Sequence, residues 1–137
     1  MTNKLIIDGT NATMGRLGSY SAKQSLLGKQ VIIVNANKVV IIGHKKDILS
    51  KYKILIKKGG SSQKGPKIIR TPERILKRVI RGMLPHKQYR GKKALNRIIC
   101  YNEVPEEFKE VKKIHAGKEK RGKFISLKEL VNLLKNE

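Results

Sequence analysis

Arg74, Lys77, Arg78 and Arg81 recur at spacings of three, one and three residues. On a helix turning 100° per residue, these four side chains share about a third of the circumference. Ile75, Leu76, Val79, Ile80 and Met83 occupy the other side. Like charges three and four residues apart on a helix repel one another. Anions at matching density relieve that repulsion, and a phosphate backbone supplies them. The row continues through Lys87, Arg90, Lys92, Lys93 and Arg97, with His86 beside it. A solvated helix face is the ordinary reading of a charge run. Residues 51–100, however, hold 16 basic side chains and 1 acidic one, Glu73, which favours phosphate binding over that reading. Just upstream, residues 59–67 (GGSSQKGPK) carry three glycines, two serines and a proline, with no apolar side chain. Glycines let backbone N–H groups approach a phosphate closely. An ordinary surface loop accounts for the glycines and serines but not for Lys64, Lys67 and Arg70. Arg16, at the start of another expected helix, is a lesser candidate for the same chemistry.

Catalytic chemistry finds little footing. Residues 9–15 (GTNATMG) lie between an expected strand and helix, as phosphate-binding loops do. They lack the Lys and Ser or Thr of a P-loop, and Gly15-Arg16-Leu17-Gly18 does not complete a dinucleotide fingerprint. His44, His86, His115 and Cys100 are not at metal-ligand spacing. The carboxylates of the first hundred residues are Asp8, Asp47 and Glu73, and no pair of them suits acid–base work. The expectation is therefore no catalytic residue, no metal and no cofactor. A nucleotide-binding enzyme with its pocket at the carboxyl ends of the strands stands as an alternative, as does a regulatory RNA- or DNA-binding module.

Composition agrees with the basic row. The chain has 137 residues, 32 Lys and Arg against 10 Asp and Glu, and a formal net charge of +22. Such a charge speaks to partners, commonly nucleic acid or an anionic membrane, rather than to fold. The excess is local: net +5 over residues 1–50, +15 over 51–100 and +2 over 101–137. Four Tyr, two Phe and no Trp argue against a protein that stacks many bases. A single cysteine rules out an internal disulfide and suits a reducing, cytosolic setting. No apolar run approaches the roughly 20 residues of a membrane span, and residues 5–7 are too short for a signal peptide core.

The elements that must position these cations can be read from periodicity and punctuation. Residues 5–8 read as a buried strand. Residues 14–27 read as a helix capped by Thr13 and ended by Gly28, with Leu17, Tyr20, Ser21, Gln24 and Leu27 near one face. Residues 31–35 read as a second strand, so the start of the chain is a βαβ unit with parallel strands. Residues 38–42 form a third extended run, either a hairpin partner of the second or its bent continuation. A helix follows over 45–57. Thr71, Pro72 and Glu73 open the cationic helix, with Thr71 as cap, Pro at the first position and Glu at the positive end of the dipole. It runs to about residue 84, before Pro85. A short helix over 89–96, a strand over 98–101 and a turn over 105–108 come next. Ser126 and Glu129 have capping-box spacing, and a last helix near 126–136 buries Leu127, Leu130, Val131, Leu133 and Leu134. About 150 residues per domain makes this one domain over 1–137, with residues 59–70 as a flexible basic arm.

The run from Arg81 to Leu95 (RGMLPHKQYRGKKAL) resembles the universal large-subunit ribosomal protein thirteen family. Ile7-Asp8-Gly9 with Gly15-Arg16-Leu17, and residues 31–43 (VIIVNANKVVIIG), are similar to further family segments in the same order. Pro105-Glu106-Glu107-Phe108, and the short link between the first helix and Val31, resemble the archaeal and eukaryotic branch. Glu103 departs from the family, which commonly has Gly there. The resemblance spans most of residues 5–108. It implies an α/β/α sandwich around a small, mainly parallel sheet. It also implies a structural role in the cytoplasmic large ribosomal subunit, early in its assembly and without enzymatic activity. The implied partners are large-subunit ribosomal RNA and neighbouring proteins, the universal protein three among them, with no membrane and no homo-oligomer. The alternative regulatory role would then be played off the ribosome. The residues expected on RNA are Arg16, the arm with Lys64, Lys67 and Arg70, the row Arg74, Lys77, Arg78 and Arg81, and His86, Lys87, Arg90, Lys92, Lys93 and Arg97.

Overall fold

In the computed structural model, which describes residues 4–57, 71–116 and 122–135, the opening βαβ unit forms as its punctuation suggests. Strand β1 (Lys4–Asp8) leads through Gly9 into helix α1 (Met14–Leu26) and back to strand β2 (Gln30–Val34). The two strands pair in parallel, Leu5 against Val31 and Ile7 against Ile33. Gly9 is required where it stands: a Cβ there would lie 2.7 Å from Val39 Cγ2 and 3.1 Å from the Val34 carbonyl oxygen. Gly28, at φ +99°, turns the chain from α1 into β2, a conformation that favours glycine.

Strands β4 (Ile98–Cys100) and β5 (Ile114–His115) complete a four-stranded sheet of order β4-β2-β1-β5, all parallel. Residues 31–34 are buried without alternation, as a central strand covered on both faces must be. The layers on the two faces are unequal. Ile7, Val31, Ile33 and Ile98 face the main core and the helices. Ile6, Ile32 and Val34 face the other way, under Val104 and Phe108. Phe108 belongs to a single 3-10 turn, Glu106–Phe108, where the sequence suggests a turn.

Helix α2 (Lys45–Lys57) has the expected bounds, and so does α4 (Tyr89–Asn96). Helix α3 (Pro72–Gly82) stops two residues earlier than expected, and Met83 and Leu84 continue as tight turns that bury Leu84. Helix α5 (Leu127–Lys135) buries Leu127, Leu130, Val131 and Leu134, and the Ser126 Oγ accepts the Glu129 N–H at 3.2 Å.

Four expectations are corrected. Residues 38–42 neither pair with β2 nor continue it. Asn35 adopts a left-handed conformation (φ 57°), a 3-10 turn follows at Ala36–Lys38, and the chain leaves the sheet. Strand β3 (Val40–Ile42) then pairs antiparallel with β6 (Phe124–Ser126), just before α5. Leu27 is 67% exposed. The inner face of α1 is instead Leu17 with Gly18, Ser21, Ala22 and Ser25, and the last four are small residues that admit α3 and α4 closely. Thr13 holds the N-cap position of α1, where its carbonyl accepts the Leu17 N–H, but no side-chain cap bond forms. Thr71 likewise holds the N-cap backbone position of α3 without capping through its hydroxyl. Asn102 supplies that bond from beyond β4, its Oδ1 accepting the Glu73 N–H at 3.2 Å.

Candidate nucleic-acid interface

Helix α3 sorts its side chains by period. Pro72, Ile75, Leu76 and Ile80 are buried, Arg74 and Arg81 are exposed, and Lys77 and Arg78 lie half-buried at the two borders of the cationic stripe. On one border Lys77 acts on Cys100 of β4. Burial pushes the Cys100 thiol up to about 12, an effect that Lys77 opposes and Glu73 reinforces. On the other border Arg78 acts on Tyr52 of α2, whose phenol burial holds above its ordinary value while Arg78 opposes the rise. The stripe therefore spans the ground between the sheet edge and α2.

Helix α4 is docked by its glycine. A Cβ on Gly91 would stand 1.9 Å from the Pro85 carbonyl oxygen and 2.2 Å from its carbon, so no other residue fits without moving backbone. From that seat Arg90, Lys92 and Lys93 are exposed, and Lys87 is exposed just before the helix. Tyr89 is 73% exposed, with the Lys93 Nζ 4.5 Å from its ring centroid. Tyr89 escaped the sequence reading. Its signal was an aromatic standing among Lys87, Arg90, Lys92 and Lys93.

Two expected residues are turned partly inward. The Arg97 guanidinium donates to the Ser25 carbonyl at 2.9 Å, tying the end of α4 to the end of α1. Next to it the Ser25 hydroxyl donates to the Ala94 carbonyl. His86 lies with Nδ1 3.1 Å from the Arg81 carbonyl and 3.3 Å from that of Leu84, and so fastens the turn between α3 and α4. Arg16 is exposed in the first turn of α1, on a different element from the rest. Lys64, Lys67 and Arg70, with the expected basic arm, lie outside the described residues.

Among the described residues, Arg74, Lys77, Arg78, Arg81, Lys87, Lys92 and Lys93 make no salt bridge. Glu106 and Glu107 are exposed on the 3-10 turn that covers the sheet face opposite the helices. Glu129 of α5 pairs with Lys45 of α2. Asp8 is occupied at the end of β1, accepting from the Thr10 hydroxyl at 2.7 Å, the Thr10 N–H at 3.0 Å and the Asn35 amide at 3.0 Å. Burial raises its pKa, but these bonds and His115 outweigh burial and hold it below its ordinary value. Among the described residues no cluster of His, Cys, Asp and Glu is built to hold a metal ion.

This is a basic α/β protein whose helices α3 and α4 carry a row of cations that makes no salt bridge among the described residues. A family model described as Ribosomal protein L13 matches residues 2–107, a stretch that includes α1, α3 and α4. The chain is 43% identical over 133 residues to the large ribosomal subunit protein uL13 of Picrophilus torridus, covering 95% of this chain and 96% of that protein. It is 50% identical over 100 residues to the protein of the same name from Thermoplasma volcanium, 73% of each chain. It is 40% identical over 135 residues to that of Archaeoglobus fulgidus, 94% of this chain and 86% of the relative. The chain belongs to the ribosomal protein L13 family, and its archaeal relatives agree with the branch that residues 105–108 resemble.

Proposed function

We propose that this chain is a structural, non-enzymatic constituent of the large ribosomal subunit in the cytoplasm, and that it binds ribosomal RNA through α3 and α4. The observation that carries the reading is the uncompensated cationic stripe of Arg74, Lys77, Arg78 and Arg81 in a member of this family. Phosphates neutralise the stripe where RNA helices pack closely, and most contacts go to phosphate and 2′-hydroxyl rather than to base edges. Lys87, Arg90, Lys92 and Lys93 extend the contact along α4, where Tyr89 offers a face for one base or ribose. Arg97 and His86 contribute at its border with the N–H groups that their internal bonds leave over. Lys64, Lys67 and Arg70 supply a basic arm of this single domain, and Arg16 a separate phosphate contact. The protein joins the subunit early in assembly, as a single copy beside other large-subunit proteins, the universal protein three among them.

A sucrose gradient of native extract, probed for this protein at rising salt, tests the reading. Simple phosphate association fades steeply with salt. The expected result is one copy per large subunit that persists through a high-salt wash. Movement to the top fractions as salt rises would overturn it in favour of transient RNA binding off the ribosome.

A further inference from the structure

We propose that the recess where α3, α5 and the Asn102 turn meet holds one unpaired RNA nucleotide and reads a base that presents an amino group. The inference rests on the RNA-binding reading above and adds to it a second contact of a different chemistry.

The recess has a volume of about 230 Å³ and opens to solvent beside Pro72, the first residue of α3. That is below the roughly 300 Å³ at which small-molecule sites begin, so it suits one ring system rather than a whole ligand. Three amides reach it from three separate segments: Asn37 from the 3-10 turn, Asn102 from beyond β4 and Asn132 from α5. An amide carries both donors and acceptors, as a base edge does.

One acceptor of the recess is left without a donor. Asn37 Oδ1 is buried without a hydrogen-bond partner. Glu103 adds a carboxylate to the lining. Buried acceptors left unmatched are costly, and a ligand bringing N–H groups satisfies them. At the same time Lys128 and Lys135 flank the opening and attract an anion. A nucleotide answers both demands, with N–H donors on its base and a phosphate at the rim. A free phosphate would face Glu103 and Asn37 Oδ1. An arginine from a basic protein would meet Lys128, Lys135 and a chain of net charge +22. Pro72 and Val131 provide an apolar wall for the ring. Guanine, with its adjacent N1–H and amino group, best matches a site that offers Asn37 Oδ1 and the Glu103 carboxylate. Uracil, with two carbonyl groups around one N–H, fits it least.

The test uses the full chain and fluorescence anisotropy with the labelled pentaribonucleotides UUGUU and UUUUU at fixed salt. One good bidentate base contact discriminates by about tenfold, so UUGUU is expected to bind about tenfold tighter. The double variant Glu103→Gln with Asn132→Leu changes two exposed side chains and should bring the two affinities together, the lost carboxylate raising that for UUUUU only slightly. Arg74→Gln with Arg81→Gln should weaken both pentamers alike and preserve their ratio. Equal binding of both pentamers by the unaltered protein, or a preference that survives the double variant, overturns the proposal. Displacement of UUGUU by the tripeptide Gly-Arg-Gly also overturns it and assigns the recess to a neighbouring protein. A large-subunit RNA fragment distinguishes the two levels. If the fragment binds while the pentamers are not discriminated, the recess inference alone fails. If neither binds, the RNA reading fails with it.

Discussion

Replacing Gly91 by alanine asks whether the seat of α4 is as tight as its geometry says. The new Cβ would begin 1.9 Å from the Pro85 carbonyl oxygen, against a floor of 3.0 Å that real Cβ contacts respect. Both partners are backbone, so relief requires α4 to move by about an ångström or more. That movement stretches the Gln88 N–H bond to the Pro85 carbonyl, now 2.9 Å, and pulls Ala94 from the Ser25 hydroxyl. Overpacking costs about 1–3 kcal/mol, and each weakened hydrogen bond adds about 1 kcal/mol. The expected loss is therefore about 3 kcal/mol, or roughly 10 °C in the melting temperature of a chain this size. Gly15→Ala is the internal control. It also lies in a helix, and its Cβ would meet nothing within 4 Å. It should stabilise by up to about 1 kcal/mol. Thermal melts followed by circular dichroism measure both. A Gly91→Ala protein melting within 2 °C of the original (well inside the shift that about 1 kcal/mol produces) would refute the argument from contact.

Replacing Arg74, Arg78 and Arg81 together by glutamine should reduce the slope of log K against log salt for a ribosomal RNA fragment by about 2, with the far-ultraviolet spectrum unchanged. Arg97→Gln should behave differently and lower stability by about 1.5 kcal/mol in urea titrations, because its guanidinium holds the Ser25 carbonyl. Asp8 contributes stability above the ordinary carboxylate pKa and loses it as pH falls through its lowered folded value. The stability gap between the original protein and Asp8→Asn should thus stay level from neutral pH down to about 5 and close below about 4 in pH-dependent unfolding. Cys100, with its thiol pushed up to about 12, should react with iodoacetamide at pH 8 at least about tenfold more slowly in the folded protein than in guanidinium.

Much of the site was legible because a helix of alternating duty writes its period into the chain. Arg74, Lys77, Arg78 and Arg81 could be sorted from Ile75, Leu76, Val79, Ile80 and Met83 by angle alone, and the fold kept that sorting except at Met83, which is 41% exposed. The bounds of α4 were legible for a similar reason, since Pro85 closes the preceding helix and Asn96 precedes a β-branched pair. Residues whose roles depend on distant partners were not legible. Arg97 meets Ser25 across 72 residues, and Asn102 caps a helix 29 residues upstream. No local pattern encodes either bond. Strands β5 and β6 are two and three residues long, too short to show a period of two. The partner of β3 was hidden with them, and so was the turn made by Asn35, since a left-handed asparagine looks like any other in the sequence.

The order in which this sheet can be assembled differs from the order in which it is made. Strand β1 ends at Asp8, and its outer neighbour β5 begins at Ile114. At about 5–20 residues per second, a ribosome takes roughly 5–20 s to make the chain between them. The leucines of α5 that pack near α3 arrive later still. For about the last third of that interval the cationic helix already exists while the core beneath it is open. The nascent chain thus displays its charge to any polyanion nearby before it can finish folding. The concentrated charge also keeps the uncovered strand 31–34 away from like copies of itself.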